Sequence, residues 1–102
     1  MATYNVERTK HATLVANVVD TVNINTQEVL VLEVTDRSPT TDVYFTINPN
    51  GGSTAPVPTV EGDETFVAAA AGLPPRRIQP GWQITQVKLI ASAAAAYSVE
   101  EF

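Results

Sequence analysis

The sequence predicts an all-β fold: a single small β-sandwich or jelly-roll-like barrel of about seven or eight short antiparallel strands. Short runs rich in Val, Ile, Thr, Tyr and Phe recur at hairpin spacing. Clusters of Gly, Pro and Asn separate them. No window combines a helical period with helical length. A chain of 102 residues fits one domain, spanning 1–102, and 44 % hydrophobic residues are enough to build a core.

Residues 2–6 read as a first strand or an ordered arm, with 1–11 a candidate N-terminal arm. In 7–11, Arg8, Lys10 and His11 form the local basic cluster. It reads as a solvated edge or as an arm that reaches onto an acidic neighbour. The run 12–24 is rich in β-branched residues, and Val18–Val19 breaks its alternation, which predicts a bulge or a bend. Val22 and Ile24 share one face and Thr21 and Asn23 the other.

The stretch 27–47 reads as the seed of the fold, two strands at 28–35 and 42–47 joined by a polar turn through 36–41. The first has Val29 and Val31 on one side and Leu30, Leu32 and Val34 on the other. That pattern suits a strand covered on both faces or one whose outer face is a contact surface. The second alternates cleanly, with Val43, Phe45 and Ile47 inward and Asp42, Tyr44 and Thr46 on a wet side.

Residues 48–58 (NPNGGSTAPVP) are the strongest loop signal. A turn at 61–64 uses Gly62 and Asp63, and 65–69 reads as a short strand. The alanines at 68–71 before Gly72 suit either one helical turn or a tight strand end. Three prolines make 73–80 extended and unfit for a central strand. The runs 82–91 and 97–102 are the closing strands, with Val87 and Leu89 sharing a face, as do Tyr97 and Val99.

Composition excludes several functions. Without cysteine there is no disulfide framework and no thiolate metal site. Six Lys and Arg against eleven Asp and Glu, a net charge of −5, is a poor footprint for nucleic acid or an anionic membrane. The polar opening 1–10 is not expected to be a signal peptide, and no run approaches the roughly 18 apolar residues of a membrane span.

Chemistry is sparse. His11 has no G-x-S-x-G serine to serve and reads as a surface residue. The pairs Asp63–Glu64 and Glu100–Glu101 occupy adjacent positions, which point to opposite faces of a strand and do not form a two-carboxyl cleft. Glu61, Asp63 and Glu64 around Gly62 lack EF-hand spacing and read as a solvated turn. The loop at 50–53 lacks the lysine and helix of a phosphate cradle. Arg76 and Arg77 suit an acidic partner or plain solvation. Tyr44 and Trp82 are the aromatics available for a sugar platform. No catalytic, cofactor-binding or metal-ligating residue is expected.

The segments ERTKHATLVANVVDTVNI, VLEVTDRSPTTDVYFTI, PTVEGDETFVAAAAG and TQVKLIASAAAAYSVE together resemble the small β-sandwich accessory proteins of tailed bacteriophage virions. Asp36 stands where that pattern has an asparagine. The resemblance implies a non-enzymatic structural protein, a capsid decoration (cement) protein on the major capsid protein lattice or a tail or head–tail component. It also implies a homo-oligomer on the capsid surface. The contact residues expected are Arg8, Lys10, His11, Asn50, Arg76 and Arg77, on the arm and in the 48–58 and 73–80 loops, together with Trp82. The alternative is a carbohydrate- or receptor-binding module using Trp82 and Tyr44.

Overall fold

A computed structural model describes residues 1–24, 31–38, 40–48, 54–63, 65–68, 73–78 and 85–101. Two sheets pack face to face. The strands are β1 (Thr3–Val6), β2 (Thr9–Leu14), β3 (Asp20–Ile24), β4 (Leu32–Asp36), β5 (Tyr44–Ile47), β6 (Phe66–Val67), β7 (Arg76–Ile78), β8 (Thr85–Ile90) and β9 (Ala95–Glu101). One sheet has the order β1-β3-β8-β5-β6 and the other β2-β9-β4-β7. The predicted sandwich is therefore the fold.

Three details differ from the sequence reading. First, residues 12–24 are not one bent strand. β2 ends at buried Leu14, and a turn carries the chain into the opposite sheet before β3. Asn17 makes that turn with φ 58°, a left-handed conformation that asparagine tolerates well. Its N–H donates to the Ala91 carbonyl at 2.8 Å. This crossing also makes one pairing parallel. β1 passes to β2 in the other sheet, so the chain re-enters the first sheet only at β3, alongside β1 and in the same direction. The stretch 1–11 is thereby built into both sheets.

Second, β4 and β5 do not form a hairpin. They lie in different sheets, and the polar segment between them is the crossing. Asp36, only 1 % exposed, accepts the Ser38 N–H at 2.7 Å, and Ser38 Oγ accepts the Thr41 N–H at 3.1 Å. These side-chain caps turn the backbone locally instead of letting it fold back as a two-strand ladder. Within β4, Leu32 and Val34 point into the core and Glu33 points out. Val29 and Leu30 lie outside the described residues.

Third, the outer side of β5 is not wet. Val43 and Phe45 are buried as expected, but Tyr44 and Thr46 are buried too. The segment 54–63 covers them. Thr46 Oγ1 donates to the Pro56 carbonyl, and the Glu61 carboxylate lies close enough to Tyr44 to act on its phenol.

The core is the interleaving of the two inner faces. Val22, Ile24, Phe45, Val87 and Leu89 of the first sheet meet Leu14, Leu32, Val34, Tyr97 and Val99 of the second. Among the described residues Tyr97 is the largest of the fully buried side chains, and its hydroxyl crosses the sandwich to donate to Asp20 Oδ2 at 3.1 Å. Among the described residues no helix is long and apolar enough to cross a membrane.

Candidate functional site

The outer face of the five-stranded sheet carries one continuous polar row. Register places Asn5 opposite Asn23, and Asn23 opposite Gln86. Their side chains are joined: Gln86 Nε2 donates to Asn23 Oδ1 at 2.8 Å, and Asn23 Nδ2 donates to Asn5 Oδ1 at 3.2 Å. At the other end the Ala55 backbone N–H donates to Gln86 Oε1 at 2.8 Å. Fully buried Asn48 flanks Gln86, accepting its backbone N–H at 3.0 Å and donating its own to the Gln86 carbonyl at 3.2 Å. An amide ladder thus runs from the covering loop to the exposed edge strand β1. Of this row only Asn23, its middle member, was foreseeable, as a polar position in an alternating strand. The link appears once register sets the three amides side by side.

The expected contact residues do not converge on one patch. Lys10, Val99, Val34 and Arg76 form a single cross-strand row of the four-stranded sheet, with a cation at each end. Lys10 Nζ sits 4.1 Å from the centroid of the Tyr4 ring. The Arg76 guanidinium carbon sits 5.2 Å from the centroid of the Phe66 ring. Phe66 in turn packs against Phe45, with ring centroids 5.5 Å apart. Each open side of the sandwich is closed by a cation from one sheet over an aromatic ring from the other. Arg77 lies opposite Glu33 and pairs with it at 3.1 Å. Exposed Arg8 approaches the Glu101 carboxylate at 4.0 Å. Asn50 and Trp82 lie outside the described residues. Lys10, Arg76 and Arg77 thus have roles within the fold, and Lys10 and Arg8 share the β1–β2 side while Arg76 and Arg77 share the β6–β7 side.

His11 Nδ1 lies 2.6 Å from Ser98 Oγ, the arrangement nearest to a nucleophile–base pair. Ser98 is only 2 % exposed, so no substrate carbonyl can reach its oxygen in this geometry. Burial, and then the neighbouring Asp20 carboxylate, push the Tyr97 phenol far above its ordinary range. Burial raises the Asp36 carboxyl despite backbone hydrogen bonds from Ser38 and Val43, with the Asp42 charge adding to the rise. Burial also raises the Tyr44 phenol, helped by Glu61 and Asp42. These shifted groups are spread through the core, the 36–43 crossing and the covered face of β5, and do not form an acid–base set. Among the described residues no three His, Asp or Glu side chains are grouped to hold a metal ion.

No protein-family model and no curated protein matches the chain. Its likeness is to solved structures. CorA of Methylomicrobium album BG8, a surface-associated copper-binding protein important in copper acquisition, aligns at TM-score 0.55 and 9 % identity, over 96 % of each chain. PliG of Salmonella Typhimurium, a periplasmic inhibitor of g-type lysozyme, aligns at TM-score 0.51 and 14 % identity, over 97 % of this chain and 95 % of its own. The pre-peptidase C-terminal domain of a Bacillus anthracis collagenase aligns at TM-score 0.50 and 8 % identity, over 98 % of this chain and 93 % of its own. At such identities the likeness shows the shared β-sandwich alone.

Proposed function

We propose that this chain is a non-enzymatic docking module, and that it serves as an accessory structural protein of a tailed-phage virion. The leading specific form is a capsid decoration protein on the major capsid protein lattice; a tail or head–tail component is the alternative. One structural observation supports the docking part. The side chains that could do chemistry are engaged inside the fold: Ser98 with His11, Asp20 with Tyr97, and Glu33 with Arg77. The exposed strand edges and the exposed apolar side chains Phe66, Val67 and Leu73 offer contact area instead. The lysozyme-inhibitor and pre-peptidase neighbours share the fold and carry no virion role. The virion assignment rests on the sequence resemblance, and a lattice suits such a module because repeated weak contacts add when the bound unit is multivalent.

The carbohydrate reading is weaker on this geometry. Tyr44, one of its two platform residues, is only 8 % exposed beneath the covering loop.

The test is co-sedimentation of the purified chain with purified phage heads and tails that lack it. Pelleting with heads supports the decoration form, and pelleting with tails alone transfers the proposal to the tail. Absence from both pellets rejects the virion role.

A further inference from the structure

We propose that the open edge of β1 pairs with the same edge of a second copy of this chain, joining the two five-stranded sheets across a two-fold axis at Tyr4. Sheet edges invite strand pairing unless shortness, charge or proline blunts them. β6 has two residues, and β7 carries Arg76 and Arg77 directly after Pro74 and Pro75. β2 carries Lys10 and His11. β1 reads TYNV, with neither charge nor proline, and no described strand pairs with its outer side. The Thr21 N–H donates to the Ala2 carbonyl at 2.8 Å, which sets the phase of the parallel ladder. Tyr4 and Val6 therefore direct their backbone groups at β3, and Thr3 and Asn5 direct theirs outward.

That spacing is self-complementary. An antiparallel copy centred on Tyr4 sets Thr3 opposite Asn5 of the second copy and Asn5 opposite its Thr3, and each such pair exchanges both backbone N–H···O bonds. Tyr4 meets its own counterpart, an aromatic cross-strand pair. The amide ladder selects this register. Ala55 N–H can only donate, so the Gln86 atom it meets is the oxygen. Gln86 must then donate to Asn23, and Asn23 to Asn5. Asn5 Nδ2 is left as a donor on the outer face of the edge strand, with no acceptor among the described residues. Centring on Asn5 would set two such donors against each other, and centring on Thr3 would leave Asn5 facing Met1. Centring on Tyr4 sets each donor against the exposed Thr3 hydroxyl, which accepts and has no other partner among the described residues. Charge does not oppose the pairing. On the outer face Thr3, Asn5, Thr21 and Asn23 are all uncharged. On the inner side the cations are engaged within each copy, Lys10 on the Tyr4 ring and Arg8 beside the Glu101 carboxylate. A second copy therefore meets no unbalanced charge at this edge, although the chain carries −5 in all.

The dimer goes beyond the docking proposal and does not depend on it: it is read without phage heads, and a dimer that fails to pellet with heads rejects docking alone. The experiment is sedimentation equilibrium of the full chain over a concentration series, with hydrogen exchange followed by NMR on the 15N-labelled chain at both ends of the series. The expected result is a reversible dimer in which the Thr3 and Asn5 amides exchange slowly when concentrated and fast when dilute, while Tyr4 and Val6 remain protected throughout. Thr3→Pro removes an N–H that the β1–β3 ladder does not use. It should weaken the dimer at least about tenfold, equivalent to about 1.4 kcal/mol. Thr3→Val keeps a strand-forming residue and removes only the hydroxyl, so it stays decisive where proline disturbs β1, and it should weaken the dimer by a similar factor. A monomer at every concentration, a dimer whose Thr3 and Asn5 amides exchange as in the dilute chain, or a dimer unaltered by Thr3→Val would overturn the proposal.

Discussion

Tyr97→Phe probes the bond that ties the two sheets together. The ring is fully buried, so the substitution leaves the buried hydrocarbon in place and removes only the hydroxyl that reaches Asp20 Oδ2 at 3.1 Å. Asp20 is itself only 4 % exposed, and water cannot readily replace the lost donor. A hydrogen bond to a charged buried group contributes about 1.5–3 kcal/mol. For a domain of this size that lowers Tm by roughly 6–24 °C. A pH signature accompanies it. The folded phenol is held above its ordinary value of 10.0, while the unfolded phenol ionises there. Stability linked to this group is complete below pH 10.0 and is lost as pH rises from there toward the folded pKa. The loss amounts to about 1.4 kcal/mol per pH unit. Urea unfolding followed by far-UV circular dichroism from pH 8 to pH 11 measures both effects. Tyr97→Phe should be less stable at pH 8 and should decline less steeply above pH 10.0 than the parent chain. Equal stability at pH 8, or equal alkaline slopes, would refute the reasoning.

Three further outcomes are expected. Asp36→Asn keeps an acceptor for the Ser38 N–H and removes a carboxyl whose pKa burial has raised above 3.8. The stabilising protonation of Asp36 is complete below pH 3.8 and lost as pH rises through the folded pKa, so the variant should show a flatter stability profile above pH 3.8 in acid titrations. At Gly62 an added Cβ would lie 2.2 Å from Thr59 Oγ1 and 3.2 Å from the Thr59 carbonyl oxygen. Gly62→Ala should cost about 1–3 kcal/mol in chemical denaturation, with partial recovery in the Gly62→Ala/Thr59→Ala double variant. Arg76→Gln removes the cation over Phe66 and should cost about 0.5–1 kcal/mol; in Phe66→Ala the same change should cost nothing, which a double-mutant cycle reads directly.

Much of the strand layout was legible because alternation marks faces. Phe45 was expected inward, and Val87 with Leu89 and Tyr97 with Val99 were expected to share faces; all five are buried. Alternation does not say which sheet a strand joins. The polar segment after Asp36 reads equally as a hairpin turn and as a crossing, and buried caps at Asp36 and Ser38 make it the latter. Nor does alternation say whether the polar side is wet. Tyr44 and Thr46 look solvent-facing until the segment 54–63 is seen to lie over them. The basic residues were noticed as free charge, but Lys10 and Arg76 find aromatic rings in the opposite sheet. No sequence spacing encodes that contact, because it depends on how the sheets stack. The link between Asn5, Asn23 and Gln86 is hidden for the same reason: three ordinary strand amides become a ladder only through register.

Saturation binding of the chain to phage heads stripped of accessory protein tests the docking proposal most directly. The proposal predicts binding that saturates at a fixed ratio of this chain to the major capsid protein, as a repeating lattice site requires. Binding that fails, or that rises without saturating, would contradict it.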